Sequence, residues 1–453
     1  MRMSQIRGRM TEGNIYKQII LFSIPLLLGN FFQLMYNTID SVVVGNAVGS
    51  QALAAVGIST PIINLLVAFF IGLSTGAGVV VSRGFGGGRL DEVHRSVHTF
   101  ILFSILFGIL LTAVGVFGSR TILLWMGTEE AVLPQALSYL RIYFLGSVFL
   151  TVYNAGTGIL QAAGDSKTPL YFLIATSILN IILDVLFVAV IRMGVAGAAL
   201  ATIICEAVSM ILILRALTKG ARDIRLSFSE LKIDPELLSR IIRIGIPAGL
   251  QGMIVSISNV IVMSYISGFG ASSVAGFTSA NKFDNFLGLP VNSFALAVTT
   301  FTGQNLGAKQ YERVRQGVRA GLILSCATVI SAGIIVFIFA PQCIAFFSQE
   351  PEVMDAGARC IRAMCPFYTA LAFHQVLSGA LRASGRSSIP MITSIVAFVV
   401  LRQIYLLIAL RLHSTITVVA YGYSFTWIAA ALFTSAYYVF SHWLAREEKK
   451  ASA

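Results

Sequence analysis

Charge is what this sequence has least of. Asp, Glu, Lys and Arg make up 11% of its 453 residues, where a soluble domain carries roughly 25%. With 56% of the residues hydrophobic, a soluble fold of this length is excluded. Cysteine is scarce as well. Cys205, Cys326, Cys343, Cys360 and Cys365 lie in or beside apolar segments, and no pair has C-x-x-C spacing. That leaves neither a zinc site nor a redox motif, and these residues read as small apolar fillers. No phosphate-binding loop is present. RGFGGGR at 83–89 is glycine-rich and basic, but no strand precedes it and no Lys-Ser/Thr follows. It reads as a tight loop, and without an ATP site any uphill transport must draw on an ion gradient. GLSTG at 72–76 fits the hydrolase pattern G-x-S-x-G, yet it lies inside an apolar helical run rather than on a strand-to-helix elbow. With no metal or nucleophile constellation, the chain does not read as an enzyme. The net charge of +12 does not point to nucleic acid, because the basic residues alternate with apolar stretches instead of forming one aromatic-laced patch.

What is present is length in apolar runs. Stretches of about 20 residues, enough to cross a bilayer as a helix, recur throughout. Twelve spans are expected, near 16–44, 53–82, 96–118, 133–160, 168–191 and 195–218, then near 238–268, 274–303, 317–340, 354–381, 388–411 and 415–445. The first follows the basic residues Arg2, Arg7, Arg9 and Lys17. It is too long for a signal peptide, lacks a small-residue cleavage site and contains Asp40, so it reads as a permanent helix.

The chain also repeats itself. IILFSIP, ending at Pro25, returns as IIRIGIP ending at Pro247, 222 residues later. LQAAGDSKTP, ending at Pro169, returns as LRASGRSSIP ending at Pro390, 221 residues later. Asn37 matches Asn259, Asp91 matches Glu312, Arg141 matches Arg362 and Gly164 matches Gly385. The fold expected is all-α and integral to the membrane, with about twelve transmembrane helices in two pseudo-symmetric six-helix bundles. An N-lobe covers 1–218, a cytoplasmic linker 219–237 and a C-lobe 238–453. Lys and Arg concentrate after even-numbered spans and around the linker, including Arg83, Arg89, Arg95, Arg222, Arg240, Arg313 and Arg386. That places both termini in the cytoplasm and relates the halves by an axis along the membrane normal. Pro25 and Pro247 sit inside the first span of each half, where each frees a backbone carbonyl and makes a hinge.

Charge inside a span marks ion or substrate paths. Gln33, Tyr36, Asn37 and Asp40 share one helical face of the first span by their spacing. Asp184 in the fifth span has Asn180 one turn earlier. A buried carboxylate can also serve packing, but two such acid–amide faces in one half favour an ion site. Glu206, Lys282, Asp284 and Arg402 are further charges within spans. Lys282 and Asp284, two apart, cannot face each other on a helix, and Arg402 is one possible partner for Asp284. These residues, with Gln33 and Asn37, are candidates for lining a substrate cavity. Arg141 and Arg362, at equivalent repeat positions, read as structural, and His374 reads as a satisfied core residue.

NTIDSVVVGNAVGSQALAAVG in the first span, the loops SRGFGGGRLDEV and GQNLGAKQYERV, and the turns GDSKTP and GRSSIP resemble those of the multidrug and toxic compound extrusion (MATE) transporters. The resemblance covers nearly the whole chain, and the doubled loop motif is its specific part. It implies export of cationic or amphipathic organic compounds by alternating access through a central cavity between the lobes, driven by H⁺ or Na⁺. For DinF-like and related branches it implies ion binding in the first lobe, at the positions of Asp40, Asn180 and Asp184 with Tyr36, Tyr139, Asn154 and Thr202 nearby. The NorM-like branch carries an acidic pair in spans seven and ten. This chain departs from that, because LQGMIVSISN and LAFHQVLSGALR hold no acid.

The reading is a cation-coupled multidrug antiporter of the plasma or bacterial inner membrane, with H⁺ preferred and Na⁺ possible at Asp40, Asn180 and Asp184. No cofactor is expected beyond the coupling ion. Its partners are small organic substrates and the lipid bilayer, with no nucleic acid, and a monomer suffices. The alternative within the same superfamily is a lipid-linked oligosaccharide flippase. A membrane-embedded enzyme and a non-transporting scaffold stand further off, the first for want of a catalytic constellation, the second because it leaves the intramembrane carboxylates unexplained.

Overall fold

The computed structural model describes residues 10–220 and 224–452, nearly all of them helical, with no strand among them. The basic residues Arg2, Arg7, Arg9 and Arg222 lie outside the described residues. The first half runs α1 (Ile15–Ala47), α2 (Ser50–Gly86), α3 (Leu90–Trp125), α4 (Leu133–Leu145), α5 (Ser147–Ala162) and α6 (Lys167–Asp184). A π-helical stretch, Val185–Val190, continues α6 before α7 (Val195–Lys219). The second half runs α8 (Pro235–Ser267), α9 (Ala271–Gly307), α10 (Tyr311–Ile338), the short α11 (Ala340–Ala345), α12 (Pro351–Met364) and α13 (Tyr368–Ala383). It ends with α14 (Ser388–Ser394), a π-helical stretch Ile395–Leu401, α15 (Arg402–Leu412), α16 (Ile416–Phe440) and α17 (Trp443–Ser452).

Ten spans among the described residues are long and apolar enough to cross a membrane, and α4 with α5, bent by 49°, makes an eleventh. The tenth expected span, near 354–381, corresponds to α12 and α13. A 3₁₀ turn at Cys365–Phe367 divides it into two short helices, and α12 carries Glu352, Asp355, Arg359 and Arg362. The fourth span is thus broken in both halves.

The chain divides into two compact units. One holds Pro25–Ile242; the other joins Met10–Ile24 to Arg243–Ala453. Its borders therefore differ in detail from a linker at 219–237. The described end of that linker packs on the first unit. Its Ser227 N–H donates to His98 Nε2 at 3.0 Å, Asp234 N–H donates to Thr99 Oγ1 at 3.0 Å, and Arg95 pairs with Asp234 at 2.8 Å. Arg240, in the first turns of α8, pairs with Glu92 at 3.1 Å. The start of α1 packs on the second unit in the same manner. Met10 N–H donates to Gln304 Oε1 at 2.8 Å, and Arg313 donates to Glu12 O at 2.9 Å and to Gln18 Oε1 at 3.0 Å. Both α1 and α8 remain helical through Pro25 and Pro247, and α1 changes unit at Pro25.

The two π stretches set the repeat register. α6 and α14 begin 221 residues apart (167 to 388), and so do α7 and α16 (195 to 416). A π turn holds one residue more than an α turn, and the second half inserts its extra residue earlier in the helix. Between the two insertions the spacing is therefore 222. The exposure pattern follows this register: Ile182 and Ile404 are exposed, as are Val185 and Leu407, while Asn180 and Arg402, and Asp184 and Leu406, are buried.

Candidate functional site

The first unit buries carboxylates that no described side chain satisfies. Asp184, the last residue of α6, has no measurable exposure, and neither of its carboxylate oxygens has a hydrogen-bond partner among the described residues. Asn180, one turn earlier, is also buried, with both amide atoms unpartnered. Asp40 on α1 is buried, with Oδ1 unpartnered, and lies within electrostatic reach of Asp184. Buried polar side-chain atoms in native proteins are almost always hydrogen-bonded, and a bare carboxylate away from water is costly. Five unpartnered buried atoms on three neighbouring residues make a cluster of oxygen and amide donors suited to a hard cation or a proton.

Local structure explains the placement. α6 packs on α7 partly through Ser209 Oγ, which donates to Thr176 Oγ1 at 3.1 Å one turn before Asn180. The π stretch begins directly after Asp184, a backbone irregularity frequent at functional sites. Gly146 at the α4–α5 bend lets that corner approach α7. A Cβ there would collide with the Ile203 side chain and meet Glu206 Oε2 at 3.3 Å.

Of the other expected ion-site residues, Tyr139 is buried and within electrostatic reach of Asp40, Tyr36, Asp184 and Glu206. Tyr36 is half-buried and within reach of Glu206 and Asp40. Thr202 is buried but donates to its own helix at Ala198 O, 3.1 Å, and the Asn154 amide donates to Leu150 O at 2.8 Å. Among the cavity candidates, Gln33 and Asn37 are exposed on α1, whose face becomes buried only at Asp40. Glu206 lies beside the expected ion-site tyrosines: it is within electrostatic reach of Tyr36 and Tyr139, and Tyr143 donates to its Oε1 at 3.4 Å. Tyr143 was not anticipated, although its position one turn after Tyr139 was the available signal.

The second unit is organised differently. The Asp284–Arg402 pairing that the sequence offered is not a direct one: the two lie within electrostatic reach of each other, but among the described residues no ion pair joins them and their hydrogen-bond partners are neutral. Asp284 Oδ1 accepts from the Tyr368 hydroxyl at 2.5 Å. Arg402, 2% exposed, donates to Ser258 Oγ at 3.2 Å, Asn259 Oδ1 at 3.0 Å and Thr426 Oγ1 at 3.1 Å, and its guanidinium lies 4.3 Å from the centre of the Tyr423 ring. Lys282 is exposed, its ammonium 4.6 Å above the Phe347 ring. His374 is a satisfied core residue, bonded to Thr434 Oγ1 at 2.8 Å and Ser394 Oγ at 3.2 Å. In the first turns of α3, His94 and His98 converge with Glu230, but both His98 ring nitrogens are engaged, by His94 O at 2.7 Å and by Ser227 N–H at 3.0 Å.

Comparison with known proteins agrees with the doubling. The MatE family model matches twice, at residues 25–186 and 247–408, each match starting at one of the paired prolines. The probable multidrug resistance protein YpnP of Bacillus subtilis (strain 168) is 32% identical over 437 residues, covering 96% of this chain and 97% of the relative. A second protein of that strain, the probable multidrug resistance protein YoeA, is 29% identical over 399 residues, 86% of each chain. A solved outward-facing multidrug resistance MATE family transporter of the MOP superfamily superimposes with a TM-score of 0.90 at 24% identity, covering 98% of this chain and 100% of the other.

Proposed function

The chain belongs to the MatE family, and from that premise we propose that it is a cation-coupled multidrug efflux antiporter of the plasma membrane, exporting organic cationic or amphipathic compounds by alternating access. H⁺ is the preferred coupling ion and Na⁺ the alternative, and both termini face the cytoplasm. The observation that carries the coupling site is the unpartnered buried set Asp40, Asn180 and Asp184. The multidrug assignment is supported by the relatives' names.

In this reading a cation or proton enters between Asp40 and Asp184 and removes an uncompensated buried charge. Asp40 is on the helix that contains Pro25, and Pro25 is where that helix changes unit. Charge neutralisation at Asp40 therefore acts on a helix already weakened by a missing backbone hydrogen bond. The bend favoured with the site filled differs from the one favoured with it empty, and substrate release follows the change. A ligand shifts such an equilibrium only by its differential affinity for the two states, which the isolated carboxylates supply.

The test is efflux of a fluorescent cationic dye from proteoliposomes under a pH gradient and a Na⁺ gradient imposed separately. Transport under the pH gradient alone, lost in Asp40→Asn, is the expected result. Transport under Na⁺ alone changes the ion and keeps the site. Wild-type efflux by a normally inserted Asp40→Asn protein would falsify the coupling site.

A further inference from the structure

The repeat register assigns Arg402 a partner position in the first half. With a spacing of 222, Asp40 corresponds to Val262, Asn180 to Arg402 and Asp184 to Leu406. Tyr36 and Asn37 correspond to Ser258 and Asn259, the two residues of α8 that accept from the Arg402 guanidinium. Val262 and Leu406 are buried, as Asp40 and Asp184 are. The same framework thus holds two carboxylates and an amide in one half, and two aliphatic side chains and a guanidinium in the other. Among the described residues no carboxylate forms an ion pair with Arg402, although Asp284 lies within electrostatic reach; its Nε is buried without a partner, and its direct contacts are hydroxyls, an amide and the Tyr423 ring face.

We propose that Arg402 is a covalently tethered cation. It holds permanently, in the second half, the place that the mobile coupling ion takes in the first. Arg remains charged under all conditions of the membrane interior, so the second half stays in its cation-loaded form and only the first half fills and empties. The consequence is that the coupling count is set by one half, although the fold contains two. The absence of acids at Val262 and Leu406 fits this, since a carboxylate beside a fixed guanidinium would form a closed pair. The proposal rests on the first-half ion site proposed above.

The test is a double-mutant cycle on the full-length protein, read as melting temperature against pH and Na⁺ concentration, together with dye efflux. Residues 402 and 406 are one turn apart on one helix face. Leu406→Asp in the parent background is expected to pair with Arg402 and to add no cation dependence. The same substitution combined with Arg402→Gln is expected to make melting newly dependent on added cation, rising by several degrees as the pH falls or Na⁺ increases. Arg402→Lys is expected to retain gradient-driven efflux and Arg402→Gln to lose it; a purely hydrogen-bonding role reverses that order. The proposal is overturned if Leu406→Asp adds equal cation dependence in both backgrounds, if it unfolds the parent, if added cation does not stabilise the double variant, or if Arg402→Gln transports like the parent. Asp40→Asn separates the two readings. If that variant still couples, the first-half site falls; if it is inactive while Arg402→Gln is unaffected, only the tethered cation falls.

Discussion

The two halves share a backbone plan and differ in what they bury at its centre. In the first, Asp184 and Asn180, one turn apart, have no partners among the described residues. In the second, the corresponding helix, α15, presents Arg402, which binds three neutral side chains, and Leu406, which is fully buried. Duplication supplied two equivalent scaffolds that differ at three of these positions; in the proposed reading the first exchanges a cation and the second stays closed. A polar residue in a span is therefore not by itself a transport residue. What separates the two cases is whether the surrounding side chains satisfy it. Breaking a satisfied arrangement destabilises the protein, whereas changing an unsatisfied one removes function and can leave stability intact.

That contrast orders the expected outcomes. Asp184→Asn should abolish gradient-driven efflux while insertion and melting remain close to the parent, because it removes a buried charge that has no partner to lose; efflux and thermal melting of one preparation check both halves of the statement. Asp284→Ala should do the reverse, lowering stability by about 1–3 kcal/mol by leaving the Tyr368 hydroxyl unpaired, with the dependence of efflux on the gradient unchanged. Pro25→Ala should slow efflux several-fold without altering the cation dependence of melting, and Pro247→Ala should slow it less, since of these two helices α1, and not α8, carries one of the proposed coupling carboxylates. Arg240→Ala removes exposed pairs with Glu92 and Glu236 and should cost no more than ~1 kcal/mol. The smallest effect belongs to Asp234, whose carboxylate the Leu237 backbone N–H, foremost, holds below the usual range. A group depressed on folding contributes above its unfolded pKa and loses that contribution as the pH falls through its folded value, so Asp234→Asn should matter at neutral pH and cease to matter in acid.

Much of this was legible in the sequence. The apolar runs gave the spans and the paired prolines gave the repeat, because both are properties of composition and spacing. Asp40, Asn180 and Asp184 stood out because charge in an apolar run is rare. The break of the tenth span at Cys365–Phe367 was not legible, because hydropathy averages across it and across the charges of α12. Glu206 was set apart from the ion group because its proximity to Tyr36 and Tyr139 depends on how α7 packs, which spacing along one helix does not encode. The Arg402–Asp284 pair was suggested by charge complementarity alone, and the structure supplies each with nearer neutral partners. The one-residue change in register between α6 and α14–α15 needed the two π stretches, since sequence anchors at Pro169 and Pro390 give only the spacing of 221.

The most direct measurement of the central claim is the number of cations released per protein when substrate saturates the purified transporter, followed as protons in weakly buffered solution and as Na⁺ in parallel. A first-half site predicts release by the parent and by Asp284→Asn, and none by Asp40→Asn/Asp184→Asn. Undiminished release from the doubly substituted protein would contradict it and place the coupling ion elsewhere in the molecule.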